Sequence, residues 1–249
     1  MDETATLHTR DHILGGRLTL TQPAKGYRAG LDAALLAAAC DARAGERVLE
    51  AGCGVGAVLL AAAARRAGAS FVGLERDPAM LALAQQNIAD NGLADRAQAL
   101  AGDVEAGGKA PGAPFDAALC NPPFFDDPGA LRAPHPAKRG AFMADAGLGA
   151  WTAFLLASVR DGGVVTLIHR ADRLADILAL VTPRAGSIQV RPVHPHADDP
   201  AGRVIVRAVR RGRAPLRLLP PLVLHERGGA KHTAAAEANL RGEADQPWL

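Results

Sequence analysis

Short apolar runs alternate with longer segments of mixed polarity through most of the chain. The runs of five to seven residues end at Gly, Asp, Glu or Asn, and the segments between them carry alanine and leucine at helical spacing. This alternation predicts an α/β fold with a doubly wound, mostly parallel sheet. The predicted strands are 47–51, 70–74, 97–101, 115–120 and 163–169, and the predicted helices are 33–40, 57–67, 78–91, 148–159 and 171–180.

The two ends of the chain depart from this alternation. Residues 1–12 are polar and are predicted to be flexible, and 15–20 are predicted to form a hairpin arm or an edge strand. Toward the other end, a pairing of 188–193 with 203–209 is predicted as an antiparallel hairpin, followed by a helix capped near Thr233. Residues 13–249 are therefore expected to form a single domain with an N-terminal arm and a basic C-terminal extension.

Composition narrows the class of protein. With 249 residues and 49% hydrophobic content, the chain can form one large domain, and no apolar run reaches the roughly 18 residues of a membrane helix. Three cysteines in apolar contexts favour neither a disulfide framework nor a zinc site, and turn composition explains His194, His196 and Asp198. We expect a soluble, cytoplasmic protein with no metal and no membrane partner. Its net charge of +2 means that a nucleic-acid partner would require a local basic patch.

A glycine-rich turn lies between the first strand of the predicted sheet and the helix that follows it. Gly52, Gly54 and Gly56 allow positive φ and a close approach of a ligand to the helix N-terminus. The turn also satisfies the pattern G-x-G-x-x-A of dinucleotide binding, so by itself it indicates only a nucleoside-type cofactor. Glu75 follows about 20 residues later, where a ribose diol is usually bound. Asp103, at the end of the third strand, could accept a hydrogen bond from an adenine amine or could be a turn residue.

The tetrapeptide Asn121-Pro122-Pro123-Phe124 closes the fourth strand. The side-chain carbonyl of Asn121 and the backbone carbonyl of Pro122 can both accept hydrogen bonds from one planar NH2 group, and the prolines hold these acceptors in place. Phe124 offers a flat face for stacking. The motif predicts a site that holds a planar amine, and the alternative is a turn that merely ends the strand.

Further candidate contacts flank this motif. Tyr27, Arg28 and Asp32 are expected to form a lid over a ligand, although each could be an ordinary surface residue. Residues 126–146 are expected to form a mobile flap beside Asn121. Arginines on the predicted strand 203–209 could contact phosphates, or they could instead protect an edge strand against aggregation. The candidates for contact with phosphates are Lys138, Arg139, Arg207, Arg210, Arg211 and Arg213.

With the glycine turn, Glu75, Asp103 and the Asn121 motif in this order, the chain resembles the class I S-adenosylmethionine-dependent methyltransferases. Members with N-P-P-F or N-P-P-Y modify planar amines, namely adenine N6, guanine N2 or a glutamine amide. The stretches 15–32 and 213–220 and the tail His-Thr-Ala-Ala-Ala-Glu-Ala are similar to those of the bacterial tRNA(Val) adenine-N6 branch of the small-methyltransferase family.

The resemblance implies a Rossmann-like, seven-stranded, mostly parallel sheet with an antiparallel C-terminal hairpin, and S-adenosyl-L-methionine as the cofactor. The implied substrate is adenine N6 in the anticodon region of tRNA, with tRNA or another structured RNA as the partner and the oligomeric state open. Phe125, a second aromatic, keeps guanine N2 of ribosomal RNA open. A protein glutamine methyltransferase and a non-catalytic RNA-binding module with this fold are further alternatives. By the resemblance, Glu50 and Gly52 to Gly56 would line the methionine part of the cofactor, Glu75 its ribose and Asp103 its adenine, under the lid of Tyr27, Arg28 and Asp32, while Asn121 and Pro122 would hold the target amine.

Overall fold

A computed structural model describes residues 7–25, 28–123 and 141–249, with side chains from 147 onward in the last range. Tyr27, Phe124, Lys138, Arg139 and the part of the expected flap up to residue 140 lie outside the described residues. The strands are β1 (His8–Ile13), β2 (Leu18–Pro23), β3 (Arg47–Ala51), β4 (Ser70–Glu75), β5 (Ala97–Ala101), β6 (Phe115–Cys120), β7 (Val159–Arg170), β8 (Ala185–His194), β9 (Arg203–Arg210), β10 (Arg217–Leu218) and β11 (Leu222–Val223). The helices are α1 (Leu31–Ala39), α2 (Ala57–Arg65), α3 (Pro78–Asp90), α4 (Ala141–Ser158), α5 (Leu174–Val181) and α6 (Ala234–Arg241).

One large sheet carries strands β3 to β11 in the order β10-β8-β9-β7-β6-β3-β4-β5, and β11 also pairs with β8. The pairs are parallel except for those of β9, which runs antiparallel to both β7 and β8. The predicted mostly parallel α/β sheet with a C-terminal antiparallel hairpin is confirmed. Two strands of two residues each, β10 and β11, extend the edge beyond the seven that were expected.

Two apolar clusters cover the two faces of this sheet. Helices α1, α2 and α3 contribute to one cluster, and α4 and α5 contribute to the other. The successive residues Val48 and Leu49 of β3 are both fully buried, yet they belong to opposite clusters. Because both faces are covered, successive residues of the central strands are buried instead of alternating with exposed ones.

The N-terminal strands form a separate hairpin. β1 pairs antiparallel with β2, from His8 opposite Pro23 to Ile13 opposite Leu18. Residues 8–12, which were expected to be flexible, are therefore part of a strand. The alternation of half-buried and exposed positions in β1 explains why no apolar run marks it in the sequence.

Helix α4 begins earlier than predicted. Residues 141–146 were assigned to the flap but are helical, and the helix continues to Ser158. Gly147 and Gly149 lie inside this helix, where each glycine costs about 1 kcal/mol relative to alanine. Leu148, Trp151 and Leu155 recur at helical spacing and are buried against the sheet, so packing outweighs this cost. No helix in the described ranges is long and apolar enough to cross a membrane.

Candidate active site

The predicted ligand residues meet at the carboxyl edge of the sheet. The strand registers place Ala51 opposite both Leu74 and Cys120. Gly52 therefore lies between Glu75 on one neighbouring strand and Asn121 on the other, with strands about 4.8 Å apart. Open α/β sheets bind their ligands at this edge, so the fold brings the candidate cofactor residues and the candidate amine residues together.

The glycine turn after β3 requires its glycines. The φ angles of Gly52, Gly54 and Gly56 are +69°, +55° and +88°, in the left-handed region that side chains disfavour. Gly52 is also covered by the indole ring of Trp151, because a Cβ added at Gly52 would lie 2.4 Å from the nearest ring carbon. Sequence reasoning placed Trp151 on an amphipathic helix and gave no sign of this contact, which joins residues far apart in the chain.

Two acidic side chains lie at this turn. Glu75 accepts hydrogen bonds from the backbone N–H of Gly54 at 2.9 Å and of Asp77 at 2.8 Å. Glu50 is almost completely buried, and burial raises the pKa of its carboxyl group well above the ordinary value, against the effect of a hydrogen bond with the backbone of Leu59 and with a further rise from the charge of Glu75. The Oε2 atom of Glu50 is buried without a hydrogen-bond partner among the described residues. Within these residues, no Lys or Arg forms an ion pair with either carboxyl group.

Asp103 makes local contacts after β5. Its Oδ1 atom accepts a hydrogen bond from the backbone N–H of Glu105 at 2.9 Å and caps a short 3₁₀ helix, Val104–Ala106. Its other oxygen lies 3.4 Å from Arg76, and the side chain is partly exposed. Asp103 is therefore a turn residue, which is one of the two roles that the sequence left open. The exposed part of its carboxylate can still contact a ligand.

The described members of the expected lid already have ionic partners. Arg28 lies 2.8 Å from Asp11, and Asp32 lies 3.0 Å from Arg203 at the start of β9. The first pair joins the segment before α1 to the hairpin, and the second joins the first turn of α1 to the sheet. They account for both residues structurally, and a ligand would have to compete with the two ion pairs.

Asn121 follows β6 at the carboxyl edge, and the motif is described as far as Pro123. Asn121 is half-buried, Pro122 is buried and Pro123 is exposed. Burial raises the pKa of the neighbouring Cys120 thiol well above its ordinary value, with a further rise from Glu50, so this thiol is not a candidate nucleophile. The polar groups offered to a substrate here are therefore the amide of Asn121 and the backbone carbonyls of the motif.

The arginines of β9 do not form a free basic patch beside Asn121. Arg207 lies 2.8 Å from Asp41 and 5.8 Å from the centre of the Trp248 ring. Arg210 and Arg211 each lie 3.0 Å from Asp161. No acidic residue lies within 203–213, but aspartates from other parts of the chain pair with these arginines and neutralise their charge.

The direction of β9 separates these residues from the site as well. Arg203 begins the strand at the carboxyl edge, whereas Arg210 lies opposite Ala185 at the amino edge. Seven residues of strand span about 23 Å. Arg207, Arg210 and Arg211, which are expected to contact phosphates, therefore extend away from the carboxyl edge where Asn121 lies. Arg213 is exposed and forms no ion pair within the described residues.

The histidine pair that resembles a metal motif is engaged in its own turn. The Nδ1 atoms of His194 and His196 lie 2.7 Å from the backbone carbonyl and the carboxylate of Asp199, respectively. Among the residues that the structure describes, no group of three or more His, Cys, Asp or Glu side chains is arranged to hold a metal ion.

Comparisons with known proteins agree with this geometry. Residues 48–135 match a family model described as a methyltransferase domain. The crystal structure of a predicted O-methyltransferase, protein Atu636 from Agrobacterium tumefaciens, is 27% identical, covers 86% of this chain and 98% of its own, and has a TM-score of 0.72. The crystal structure of TrmN from Thermus thermophilus is 22% identical, covers 72% of this chain and 48% of its own, and has a TM-score of 0.50. The putative transferase PH0793 from Pyrococcus horikoshii is 15% identical, covers 83% of this chain and 73% of its own, and has a TM-score of 0.54. No curated protein sequence matches.

The fold and the domain match define the class as a Rossmann-like methyltransferase fold with S-adenosyl-L-methionine as its cofactor. The site is suited to this cofactor in its charge and shape. Three glycines with positive φ give a ligand close access to the backbone, and the carboxylate of Glu75 lies at the turn without an ion-pair partner among the described residues. A cationic cofactor with a diol, an ammonium group and a sulfonium centre matches these groups.

Proposed function

We propose that the protein transfers a methyl group to a planar exocyclic amine, with adenine N6 in tRNA as the substrate. The observation that carries the proposal is the position of Asn121-Pro122-Pro123 at the carboxyl end of β6, one strand away from the glycine turn. This position supports the proposal, because the two proposed amine acceptors are next to the expected cofactor site.

The chain's contribution is to orient the amine. The Oδ1 atom of Asn121 and the carbonyl oxygen of Pro122 accept the two amine hydrogens, which directs the nitrogen lone pair out of the plane of the base. When bound, S-adenosyl-L-methionine supplies an electrophilic methyl group. As the nitrogen–carbon bond forms and the sulfur–carbon bond breaks, positive charge develops on the amine, and the two oxygens stabilise it until a proton leaves to solvent.

A structured RNA is the proposed partner because of the resemblance of 15–32 and 213–220 to the tRNA adenine-N6 branch. The target base must leave its stack to reach Asn121, which an anticodon loop permits at low cost. Arg170 at the end of β7 and Arg203 at the start of β9 are two basic residues at the carboxyl edge, and they are ion-paired with Asp172 and Asp32. They lie nearer to the target base than Arg210 or Arg211, and a phosphate would have to compete with their ion pairs.

Methylation of a hydroxyl group is the second candidate. It is favoured by the likeness to the predicted O-methyltransferase from Agrobacterium tumefaciens, which covers nearly all of that chain. The Asn121 motif argues for the amine, because its acceptors match the two hydrogens of an NH2 group, whereas a hydroxyl has one.

Mass spectrometry of the product separates these possibilities. The protein is incubated with bulk tRNA, ribosomal RNA or a cell protein extract together with isotopically labelled cofactor, and the digested product is analysed. N6-methyladenosine from tRNA is the expected result. Methylguanosine from ribosomal RNA, methylglutamine from protein or an O-methylated product would overturn the adenine proposal, and no transfer to any of them would support a binding module.

Asn121→Ala tests the role of the motif in the same assay. We expect kcat to fall by about 10² to 10³, since a preorganised charge-stabilising group is removed, while the affinity for S-adenosylhomocysteine stays within about twofold. Asn121→Asp is the matched control, because it keeps an acceptor oxygen and should retain part of the activity. Unchanged turnover in Asn121→Ala would remove the motif from the mechanism.

A further inference from the structure

Two asparagine side chains, one within α3 and one at its C-terminal cap, form hydrogen bonds with the outer edge of the N-terminal hairpin. Asn91 accepts from the backbone N–H of Thr19 at 2.9 Å and donates to its carbonyl at 2.7 Å. Asn87 makes the same pair of bonds with Thr21, at 2.8 and 2.9 Å. The side-chain amides thus occupy the place that a third strand would take beside β2.

The spacing of helix and strand explains why both bonds form. Residues 87 and 91 are separated by about 6 Å along the helix axis, and alternate residues of a strand are about 6.7 Å apart. Thr19 and Thr21 direct their backbone groups away from β1, so these groups would otherwise be an open strand edge. Asn87 is completely buried, so these bonds are made out of contact with water, where an unmade bond is costly.

Asn87 also reaches the cofactor turn. Its amide donates a further hydrogen bond, of 3.0 Å, to the carbonyl of Val55, between Gly54 and Gly56. One helical turn earlier, Ala84 lies against Gly56, 3.6 Å from where a Cβ would be. Asn91 makes no bond to the turn among the described residues. Asn87 is therefore the side chain of the pair that contacts both the hairpin and the turn.

The hairpin in turn positions the segment that precedes α1. Gln22 of β2 is buried, accepts a hydrogen bond from the backbone N–H of Ala29 at 2.9 Å and donates to Asp11 at 2.8 Å. Asp11 also forms the ion pair with Arg28. A continuous series of hydrogen bonds therefore runs from the glycine turn through Asn87 and β2 to the segment expected to cover a ligand.

We propose that Asn87 is a positioning residue that couples occupancy of the glycine turn to docking of the N-terminal hairpin. A ligand that fixes the carbonyl of Val55 strengthens the hold of Asn87 on Thr21, and a docked hairpin strengthens ligand binding by the same factor. The inference rests on the cofactor site at the glycine turn and is independent of which amine or hydroxyl is methylated.

The matched variants are Asn87→Ala and Asn91→Ala, because both loosen the hairpin and only the first releases Val55. Binding of S-adenosylhomocysteine is measured by calorimetry, and amide hydrogen exchange of Thr19 and Thr21 is measured with and without it. We expect Asn87→Ala to bind about tenfold more weakly, which corresponds to ~1.4 kcal/mol, and Asn91→Ala to bind within about twofold of the wild type. In the wild type and in Asn91→Ala, the compound should slow exchange at Thr21.

Equal loss of affinity in the two variants would overturn the proposal, because hairpin docking in general would then be responsible. Wild-type affinity in Asn87→Ala would overturn it as well. If Asn87→Ala does not fold, the exchange experiment on the wild type decides alone: unchanged protection of Thr21 on binding contradicts the coupling. Failure of the wild type to bind S-adenosylhomocysteine would instead contradict the cofactor assignment, so the two failures are distinguishable.

Discussion

The glycine turn and strand β9 satisfy their charged groups in opposite ways. At the turn, Glu75 accepts hydrogen bonds from backbone N–H groups, and Glu50 has one oxygen without a partner. On β9, Arg203 and Arg207 each meet a carboxylate, Asp32 and Asp41. Thus backbone N–H groups hold the carboxylate of Glu75 at the turn, while carboxylates from other elements neutralise the cations of the strand.

This difference bears on what each region can bind. A turn at which the Glu75 carboxylate meets only amides keeps its attraction for a cationic ligand, which suits a sulfonium cofactor. Arginines that already have carboxylate partners must give up these ion pairs before they can bind phosphate. The free energy lost with each ion pair offsets the free energy gained from the phosphate contact. The turn is therefore suited to ligand binding, and most of the charge on β9 serves the fold.

Substitution of a glycine in the turn should have the largest effect on stability. Gly52→Ala adds a methyl group into the ring of Trp151 at a residue with positive φ, and we expect a loss of about 3 kcal/mol in the free energy of unfolding. Gly54→Ala is the control, since its φ is also positive but its Cβ would meet nothing within 4 Å, and about 1 kcal/mol is expected. Urea unfolding measures both. Equal losses would show that packing against Trp151 does not set the shape of the turn.

Removal of a carboxylate from the turn should weaken the cofactor next. Glu75→Ala takes the acceptor from the N–H groups of Gly54 and Asp77 and removes the group implied to bind the ribose. We expect the affinity for S-adenosylhomocysteine to fall by about 100-fold, or ~2.7 kcal/mol, in calorimetry. Glu105→Ala is the nearby control, because Glu105 pairs with partly exposed Arg76 and touches no part of the turn. Its affinity should stay within about twofold.

The buried acid of the turn should also give the protein a distinctive dependence on pH. Burial raises the pKa of Glu50 above the ordinary value of 4.5, so the folded protein keeps a proton that the unfolded chain releases as pH rises past 4.5. The free energy of unfolding therefore falls as the pH rises from 4.5 to the pKa of Glu50 in the folded protein. The fall is at most about 1.4 kcal/mol per pH unit. Glu50→Gln has no such proton, so its stability should gain on that of the wild type as the pH rises above 4.5, until Glu50 ionises in the folded protein. Parallel unfolding curves for the two proteins would contradict a protonated Glu50.

Local signals in the sequence were sufficient to predict most of the sheet and half of the site. Apolar runs that end in Gly or Asn mark strands β3 and β6 and bring the turn beside Asn121, because parallel strands place their carboxyl ends at one edge. The contacts that the sequence did not predict join residues far apart in the chain. Trp151 on Gly52, Asp41 on Arg207 and Asn87 on Thr21 each depend on how helices dock, and no short stretch of sequence encodes docking.

The smallest effects are expected from substitutions of two arginines in the segment 203–213. Arg207→Gln leaves Asp41 without its partner and removes the cation beside Trp248, so we expect a loss of about 1 kcal/mol in urea unfolding. Arg213→Gln removes an exposed side chain with no described ion pair and should leave stability within ±0.5 kcal/mol. For tRNA binding at low salt, Arg213→Gln should have the larger effect of the two variants. We expect it to lower the affinity for tRNA about two- to threefold, and this difference should disappear as the salt concentration is raised. If Arg207→Gln weakens tRNA binding more than Arg213→Gln while remaining as stable as the wild type, then β9 is a binding surface, and the contrast between the strand and the glycine turn is wrong.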